Sequence, residues 1–411
     1  MGADDRDASI HCCLSCGGTV GLLVDFGMQP PSNRFEQPTA TQPERHRLQL
    51  GQCGSCALLQ LIDPMPPSMA KSRFEWLTYN EPEGHLDRLV ERLRALPGLG
   101  TASRIVGLTY KDDTTLARFN RLGFADTYRY DTVLDLGLDD PCASLESIQA
   151  AVDGARAARL AERHGLADLL LVRHVIEHAH DPRGFLSAVA ALVRPGGYLL
   201  FEMPDCGKFM RACDYPFVWE EHITYFSAST LAALIRNAGL EQVATVIDPY
   251  PLEDSLIAIV RNAPATDAQA VPHDREALLG DGRAFSLNHE KVRTSVRATL
   301  ESWKTAGHRT AIFGAGHIAA KFVNFHGVAD LLDCTIDDKP EKQQVLMPGS
   351  RLPIVGSASL ATRGIDRCLL SLSPESEQKV LAKNGDFIDR GGRFASIFAL
   401  SPMSIRNPEQ P

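Results

Sequence analysis

Two pairs of cysteines, Cys13-Leu14-Ser15-Cys16 and Cys53-Gly54-Ser55-Cys56, each hold two thiols three positions apart. A CxxC turn sets two thiolates on one edge of a metal tetrahedron, and two such turns supply the four soft ligands that Zn2+ takes. Four protein ligands leave no open position for water or substrate. The expected role is therefore structural, in a segment too small to hold itself together by burial. Redox or packing cysteines are the competing reading. His11 and Cys12 adjoin the first knuckle and compete for a ligand position, but the regular spacing favours Cys13. A second constellation lies near the C-terminus, where Gly314-Ala315-Gly316-His317-Ile318-Ala319-Ala320 follows the apolar run Arg309–Phe313 and Asp337 closes the next run. G-x-G-x-x-A between a strand and a helix, with a carboxylate about 20 positions on, is the pattern of a dinucleotide turn. The alternative is a structural lobe whose glycines only allow close packing.

These residues need elements to position them. The first 75 residues are short of helical periodicity and rich in Cys, Gly and Pro. From residue 76 to 262 strand and helix signals alternate. Leu86, Leu89, Leu93 and Leu96 fall at helical spacing, and Ser103–Leu108, Ala167–Val172, Gly197–Met203 and Leu256–Val260 are apolar runs suited to buried strands. Asn262–Val271 is small and polar and reads as a linker. Phe285, His289, Val292, Val296, Leu300 and Trp303 mark one helix face, and a second α/β unit runs to residue 411. The expected fold class is α/β: two Rossmann-like doubly wound units, at 76–262 and 275–411, preceded by a small zinc-binding domain at 1–75.

Composition narrows the setting. The chain has 411 residues, more than one compact core can use, and a net charge of −9. That balance argues against general nucleic-acid or anionic-membrane binding, which wants clustered Lys and Arg. No run approaches the ~18 apolar residues of a membrane-spanning helix, and the start has neither a basic stretch nor an apolar core of a secretory signal. A cytoplasmic protein, monomer or small homo-oligomer, with ten cysteines serving as metal ligands and core thiols, is the expectation.

The middle third carries Arg173-His174-Val175-Ile176-Glu177-His178, then Asp181-Pro182 and Leu192-Val193-Arg194-Pro195-Gly196-Gly197. This resembles the second half of a class I S-adenosylmethionine (SAM) methyltransferase. Three further pieces are similar to the nucleotide-sugar C-methyltransferases: Phe26–Phe35 between the knuckles with Leu58–Leu61 after them, Trp219-Glu220-Glu221-His222-Ile223-Thr224-Tyr225-Phe226, and Phe313–Gly316 with Asp337–Pro340 and Pro348-Gly349. The resemblance covers nearly the whole chain in the right order.

It implies C-methylation, through an enolate, of a nucleotide-linked keto-deoxysugar with SAM as the methyl donor. Such chemistry needs a base beside the ketone, a group that stabilises the enolate, and a sulfonium held in line. His222 is the candidate base because imidazole titrates near neutral pH, with Glu221 beside it as a second acid/base or a sugar ligand. The resemblance places His178 in the same pocket and Tyr79, in Leu77-Thr78-Tyr79, in a substrate-contacting segment. An exposed polar turn is the bland alternative for Glu221 and His222, and a capping or core role for His178. The residues matching the SAM site are Gly107, Thr109 and Asp112 in the turn after the first strand, Asp131 after the second, and His174 at the end of the ADLLLV strand; His174 and His180 also suit structural or exposed roles.

Two departures stand out. Family members end the first strand in an acidic residue followed by a glycine-rich turn, whereas this chain has Gly107 at the acidic position and Thr109 and Asp113 where glycines belong. Trp219 stands where a proton-transferring tyrosine is common, and indole cannot transfer a proton. A second reading follows: the same scaffold without SAM, removing an α-proton to give epimerisation, isomerisation or elimination. A third is an NAD(P)-dependent oxidoreductase using the C-terminal G-x-G-x-x-A turn.

Overall fold

The computed structural model describes residues 11–39, 44–75, 77, 82–264 and 274–407. Its first sheet is antiparallel: β1 (His11–Cys12), β2 (Thr19–Gln29), β3 (His46–Cys53), β4 (Leu59–Ile62) and, from far along the chain, β9 (Thr224–Tyr225), in the order β1-β2-β3-β4-β9. The N-terminal segment thus pairs directly with the stretch that carries Glu221 and His222. The long helix Arg275–Thr305 lies on this sheet, close enough that a Cβ at Gly282 would overlap the end of the Gln52 side chain. Glycine at 282 leaves room for that amide end. As the 3.6-residue spacing predicts, Phe285, Val296, Leu300 and Trp303 are its buried face, while His289 and Val292 are half-buried.

The central sheet has six strands: β5 (Ile105–Gly107), β6 (Thr127–Arg129), β7 (Ala167–Arg173), β8 (Val193–Asp205), β10 (Glu241–Asp248) and β11 (Asp254–Arg261). Their order is β10-β11-β8-β7-β5-β6, with β6, β5, β7 and β8 parallel and β11 antiparallel to both its neighbours. Apolar runs become strands here because both faces are covered. In β7, Leu170 and Val172 pack into one core while Leu169 and Leu171 pack into another on the opposite face. The predicted Ser103–Leu108 strand is trimmed to β5, and the helix predicted from Leu86 ends at Arg94, leaving Leu96 in the following turn. Ser229–Ala238 is a helix, Ala228–Asn237.

The C-terminal sheet is wholly parallel: β12 (Thr310–Phe313), β13 (Cys334–Ile336), β14 (Ile354–Val355), β15 (Arg367–Leu370) and β16 (Arg393–Ser396), in the order β14-β13-β12-β15-β16. One hydrophobic core runs from the N-terminal sheet (Leu50, Leu61) through Phe209 and Tyr215 to Ile312 and Phe322 of this lobe. Both parallel sheets reverse strand order beside their first strand, β5 and β12, which is where open α/β sheets bind ligands. No helix among the described residues is long and apolar enough to cross a membrane.

Candidate active site

The zinc cluster forms as its spacing predicts. The Sγ atoms of Cys13, Cys16, Cys53 and Cys56 all lie within 4.8 Å of one another, with Cys13–Cys56 at 3.6 Å and Cys16–Cys53 at 3.5 Å. A tetrahedron of ~2.3 Å Zn–S bonds has edges of about 3.8 Å, so the set fits the ion. Each knuckle closes on itself: Gly17 N donates to Cys13 O and Ala57 N to Cys53 O, both at 2.9 Å, and both donors are left-handed, at φ 75° and 62°. Backbone N–H groups of Gly18 and Ser55 point at the sulfurs of Cys16 and Cys53. Cys12 is exposed and outside the cluster, which resolves the competition for the first position.

From this anchored sheet the segment after β2 reaches into the middle of the molecule. Asn33 Nδ2 donates to Glu221 Oε1 at 2.7 Å. Ser32 donates through N and Oγ to Glu220 Oε1, and its Oγ accepts Trp219 Nε1 at 2.9 Å. Lys321 of the C-terminal lobe pairs with Glu220, both carried fully inside. Tyr225 Oη both accepts from Trp219 N (2.7 Å) and donates to Trp219 O (3.0 Å). Trp219–Glu221 is therefore a buried, braced segment, with His222 half-buried beside it, rather than an exposed turn. Burial raises the Glu221 carboxyl well above its usual range, and the Asn33 bond works against that shift.

Glu221 sits where two cavities meet. The larger, 670 Å³, lies at the carboxyl ends of β5 and β7, between Tyr110, Lys111, Thr114 and Arg173 on one side and Phe74, Glu83 and Glu146 on the other. The smaller, 300 Å³, is lined by Glu177, His178, Trp219 and His222, by His317 and Ile318 after β12, and by Ser371 and Ser373 after β15. Both switch points thus open into one cleft, and the two cavities share Glu221, Lys111 and Ser144. His178 and His222 face each other with ring centroids 4.8 Å apart, and the Trp219 ring stacks on His317 at 4.2 Å. Burial, followed by the neighbouring His222, holds the His178 imidazole well below its ordinary pKa, so it is neutral.

The residues matched to the SAM site are placed differently. Asp112 is fully buried and its Oδ2 accepts from Leu108 N and Thr109 N, both at 2.9 Å, while its Oδ1 faces Arg173 N at 3.3 Å. Thr109 is also buried, and caps the turn. A Cβ at Gly107 would meet Asp112 Cβ at 2.8 Å. Thus Asp112 fills the room that an acidic side chain at 107 would occupy, and spends its carboxylate on the loop backbone. Tyr110, Lys111 and Thr114 face the larger cavity instead. Asp131 is exposed and accepts from Val133 N and Leu134 N at 2.9 and 2.7 Å, away from both cavities. His174 does line the smaller cavity; its left-handed backbone, φ 55°, holds its ring 3.6 Å from both Glu177 and Glu202. Tyr79 lies outside the described residues. Lys111, Asn33 and the His317 stack were not picked out as site residues in the sequence; Asn33 was visible only as part of the segment between the knuckles.

The cleft fits SAM in size, in position at the switch point, and in charge: Lys111 suits a carboxylate, Glu83 an ammonium, and the Tyr110 ring a purine face, while Arg173 is already held by Glu202 and the Lys111 carbonyl. At the other turn, Asp337 Oδ2 is held by Ala315 N (3.0 Å) and Lys342 Nζ (2.8 Å), so the carboxylate that would grip a dinucleotide ribose is already engaged.

A doubly wound SAM-type domain flanked by a four-cysteine sheet and a second parallel lobe defines a methyltransferase of composite build. Family comparison agrees: residues 13–69 match the family described as "Putative zinc binding domain", 73–245 a methyltransferase domain, and 279–399 a C-methyltransferase C-terminal domain. The three matches follow one another along the chain and support a SAM-dependent methyltransferase. It is 24% identical over 399 residues to the C-methyltransferase NovU of Streptomyces niveus, covering 93% of this chain and 94% of that one. Among solved structures, 1,6-didemethyltoxoflavin-N1-methyltransferase of Burkholderia thailandensis aligns at 17% identity over 44% of this chain and 78% of its own, TM-score 0.30. The N-methyltransferase NodS of Bradyrhizobium japonicum aligns at 15% identity over 43% and 94%, TM-score 0.25.

Proposed function

We propose that the protein C-methylates a nucleotide-linked 4-keto-deoxysugar through an enolate, with Glu221 as the base. The observation that carries this reading is the place of Glu221 at the junction of the two cavities, buried and braced by Asn33. A base between a methyl-donor pocket and a sugar pocket is what C-methylation requires, because only a carbon beside a carbonyl is acidic enough to lose its proton to a carboxylate. SAM, bound in the larger cavity, supplies an electrophilic methyl group.

The sugar ring occupies the smaller cavity. Glu221 takes the α-proton, and the electron pair moves onto the keto oxygen beside His178 and His222, which stabilise it. This shifts the base from His222, the choice that residue type alone favours, to the neighbouring carboxylate, because Glu221 alone of the two borders both cavities. The start of the helix His317–His326 borders the same cavity, and its first backbone N–H groups favour a diphosphate there.

The test is incubation with SAM and a nucleoside diphosphate 4-keto-deoxysugar, followed by NMR of the product. A new C–CH3 group beside the retained ketone supports the reading. Turnover only with a substrate that has no ketone contradicts it.

A further inference from the structure

The C-terminal lobe reaches the segment that carries Glu221 through one face of the helix His317–His326. His317 and Lys321 stand four positions apart, so they share a side of that helix. The His317 ring stacks on Trp219 at 4.2 Å, and the Lys321 ammonium pairs with Oε2 of the next residue, Glu220. Lys321 and Glu220 are each 1% exposed. The other Glu220 oxygen accepts from Ser32 N and Oγ, and Asn33, following Ser32, donates to Glu221. Burial pushes the Glu220 carboxyl up, but Lys321, together with Ser32, more than offsets that and holds it below its usual range, so Glu220 is an anion.

A buried ion pair is a poor source of stability, because both charges must leave water and a well-packed apolar pair often does as well or better. Stability therefore does not explain this one. Its place does. Glu220 and Glu221 are consecutive buried carboxyls. Two such groups side by side repel, and one of them is driven to keep its proton. A protonated Glu221 cannot take another, so a base at 221 needs the charge at 220 cancelled. The other charged and titratable groups around Glu221 are His222 on its own segment, Glu177 and His178 on the turn after β7, Lys111 on the turn after β5, and Glu146 on the helix Leu145–Ala151. Burial, then Glu146 and Glu220, raise the Glu221 carboxyl, while Asn33 and Lys321 work to lower it.

We propose that Lys321 is a positioning residue for the reaction: from the C-terminal lobe it cancels the Glu220 charge, so that Glu221 stands as an anion at the junction of the two cavities. Lys321 lines neither cavity and acts through Glu220 alone. The role rests on Glu221 being the base, as read above. The C-terminal lobe then sets the charge balance of the base as well as bordering the sugar cavity.

The experiment follows exchange of the substrate α-proton with deuterated solvent as a function of pH, by NMR, with full-length protein and a nucleoside diphosphate 4-keto-deoxysugar. Lys321→Met should move the acid limb of the exchange rate up by about one pH unit, which is a loss of about tenfold below the limb. Glu220→Gln leaves the cation facing Glu221 and should move the limb down. The two shifts have opposite signs and either alone tests the proposal, so it stands or falls even where loss of one partner from the buried pair prevents folding. Zinc retained at the four cysteines reports that each variant has folded. The double variant Glu220→Gln/Lys321→Met removes both charges and should return the limb to its wild-type place. A folded Lys321→Met that loses rate equally at every pH has only a packing role for Lys321 and overturns the proposal. So do single variants whose limbs move the same way, and a double variant whose limb stays with that of Lys321→Met. Glu221→Gln is the control: undiminished exchange there defeats the base reading itself, whereas its loss there, with an unmoved limb in Lys321→Met, defeats the role of Lys321 alone.

Discussion

The turns after β5 and after β12 stand at matching places in two parallel sheets, and their sequences suggest opposite roles. The first has lost its glycines, while the second keeps G-x-G-x-x-A with its carboxylate. In the structure, both turns are closed by their own carboxylates: Asp112 takes the N–H groups of Leu108 and Thr109, and Asp337 takes that of Ala315. What differs is the outward face. The glycine-poor turn sends Tyr110, Lys111 and Thr114 into the larger cavity, and the glycine-rich one contributes only His317 and Ile318 to the smaller. A glycine pattern reports how closely a backbone can be approached. Which ligand is held depends on the side chains that line the cleft.

The zinc-anchored sheet braces the segment that carries Glu221 to the junction of the two cavities, so the largest disruption comes from there. Cys56→Ala should release the metal and, with it, the strand pairing that carries Asn33 to Glu221. Structural zinc contributes on the order of 10 kcal/mol in small domains. Metal content falling below one equivalent, together with complete loss of methylation, is the expected result. Full activity without zinc would break the link.

Glu221→Gln comes next. Removal of a positioned general base costs about 10²- to 10⁴-fold in rate. The loss should fall on kcat, with KM for the sugar nucleotide moving only a few-fold; a change in KM alone would assign Glu221 to binding.

The comparison of the two closing carboxylates is sharpened by stability. Asp112→Ala leaves the buried Thr109 N–H unsatisfied and Leu108 N–H with its bond to Leu171 O alone, and should cost about 2 kcal/mol by urea unfolding. Asp337→Ala, at a site whose side chain is 16% exposed, should cost about 1 kcal/mol. Equal losses would show that the first turn is no more dependent on its carboxylate than the second. Burial raises the Asp112 carboxyl from 3.8 to about 7. Folding therefore favours its protonated form: the stabilisation is full below pH ~4 and is lost as pH rises through about 7. Asp112→Asn should flatten that part of the stability profile, whereas an unchanged slope would exclude Asp112 as its source. The smallest effect is on cofactor affinity. Lys111→Met should weaken SAM binding on the order of tenfold, about 1.4 kcal/mol, in a calorimetric titration, and Lys342→Met at the other turn should leave it unchanged.

Much of this was legible in the sequence. The CxxC spacing dictates the four-cysteine cluster, and continuous runs such as Leu169–Val172 mark strands with both faces covered. The short edge strand β9 and the half-buried β10 were not readable, because two residues carry no period and Glu241–Asp248 owes its place to pairing with β11. Glu221 and His222 were visible as residue types, but which one borders both cavities depends on how β9 joins the N-terminal sheet. The inward turn of Asp112 was hidden because it rests on the space left by Gly107, on the far side of a turn.

The central claim is that Glu221 removes the α-proton before any methyl group moves. The direct measurement is NMR-detected exchange of that proton with deuterated solvent, on a nucleoside diphosphate 4-keto-deoxysugar, without SAM. The account predicts enzyme-dependent exchange in the wild type and its loss in Glu221→Gln. Exchange that continues at the wild-type rate in Glu221→Gln would contradict it.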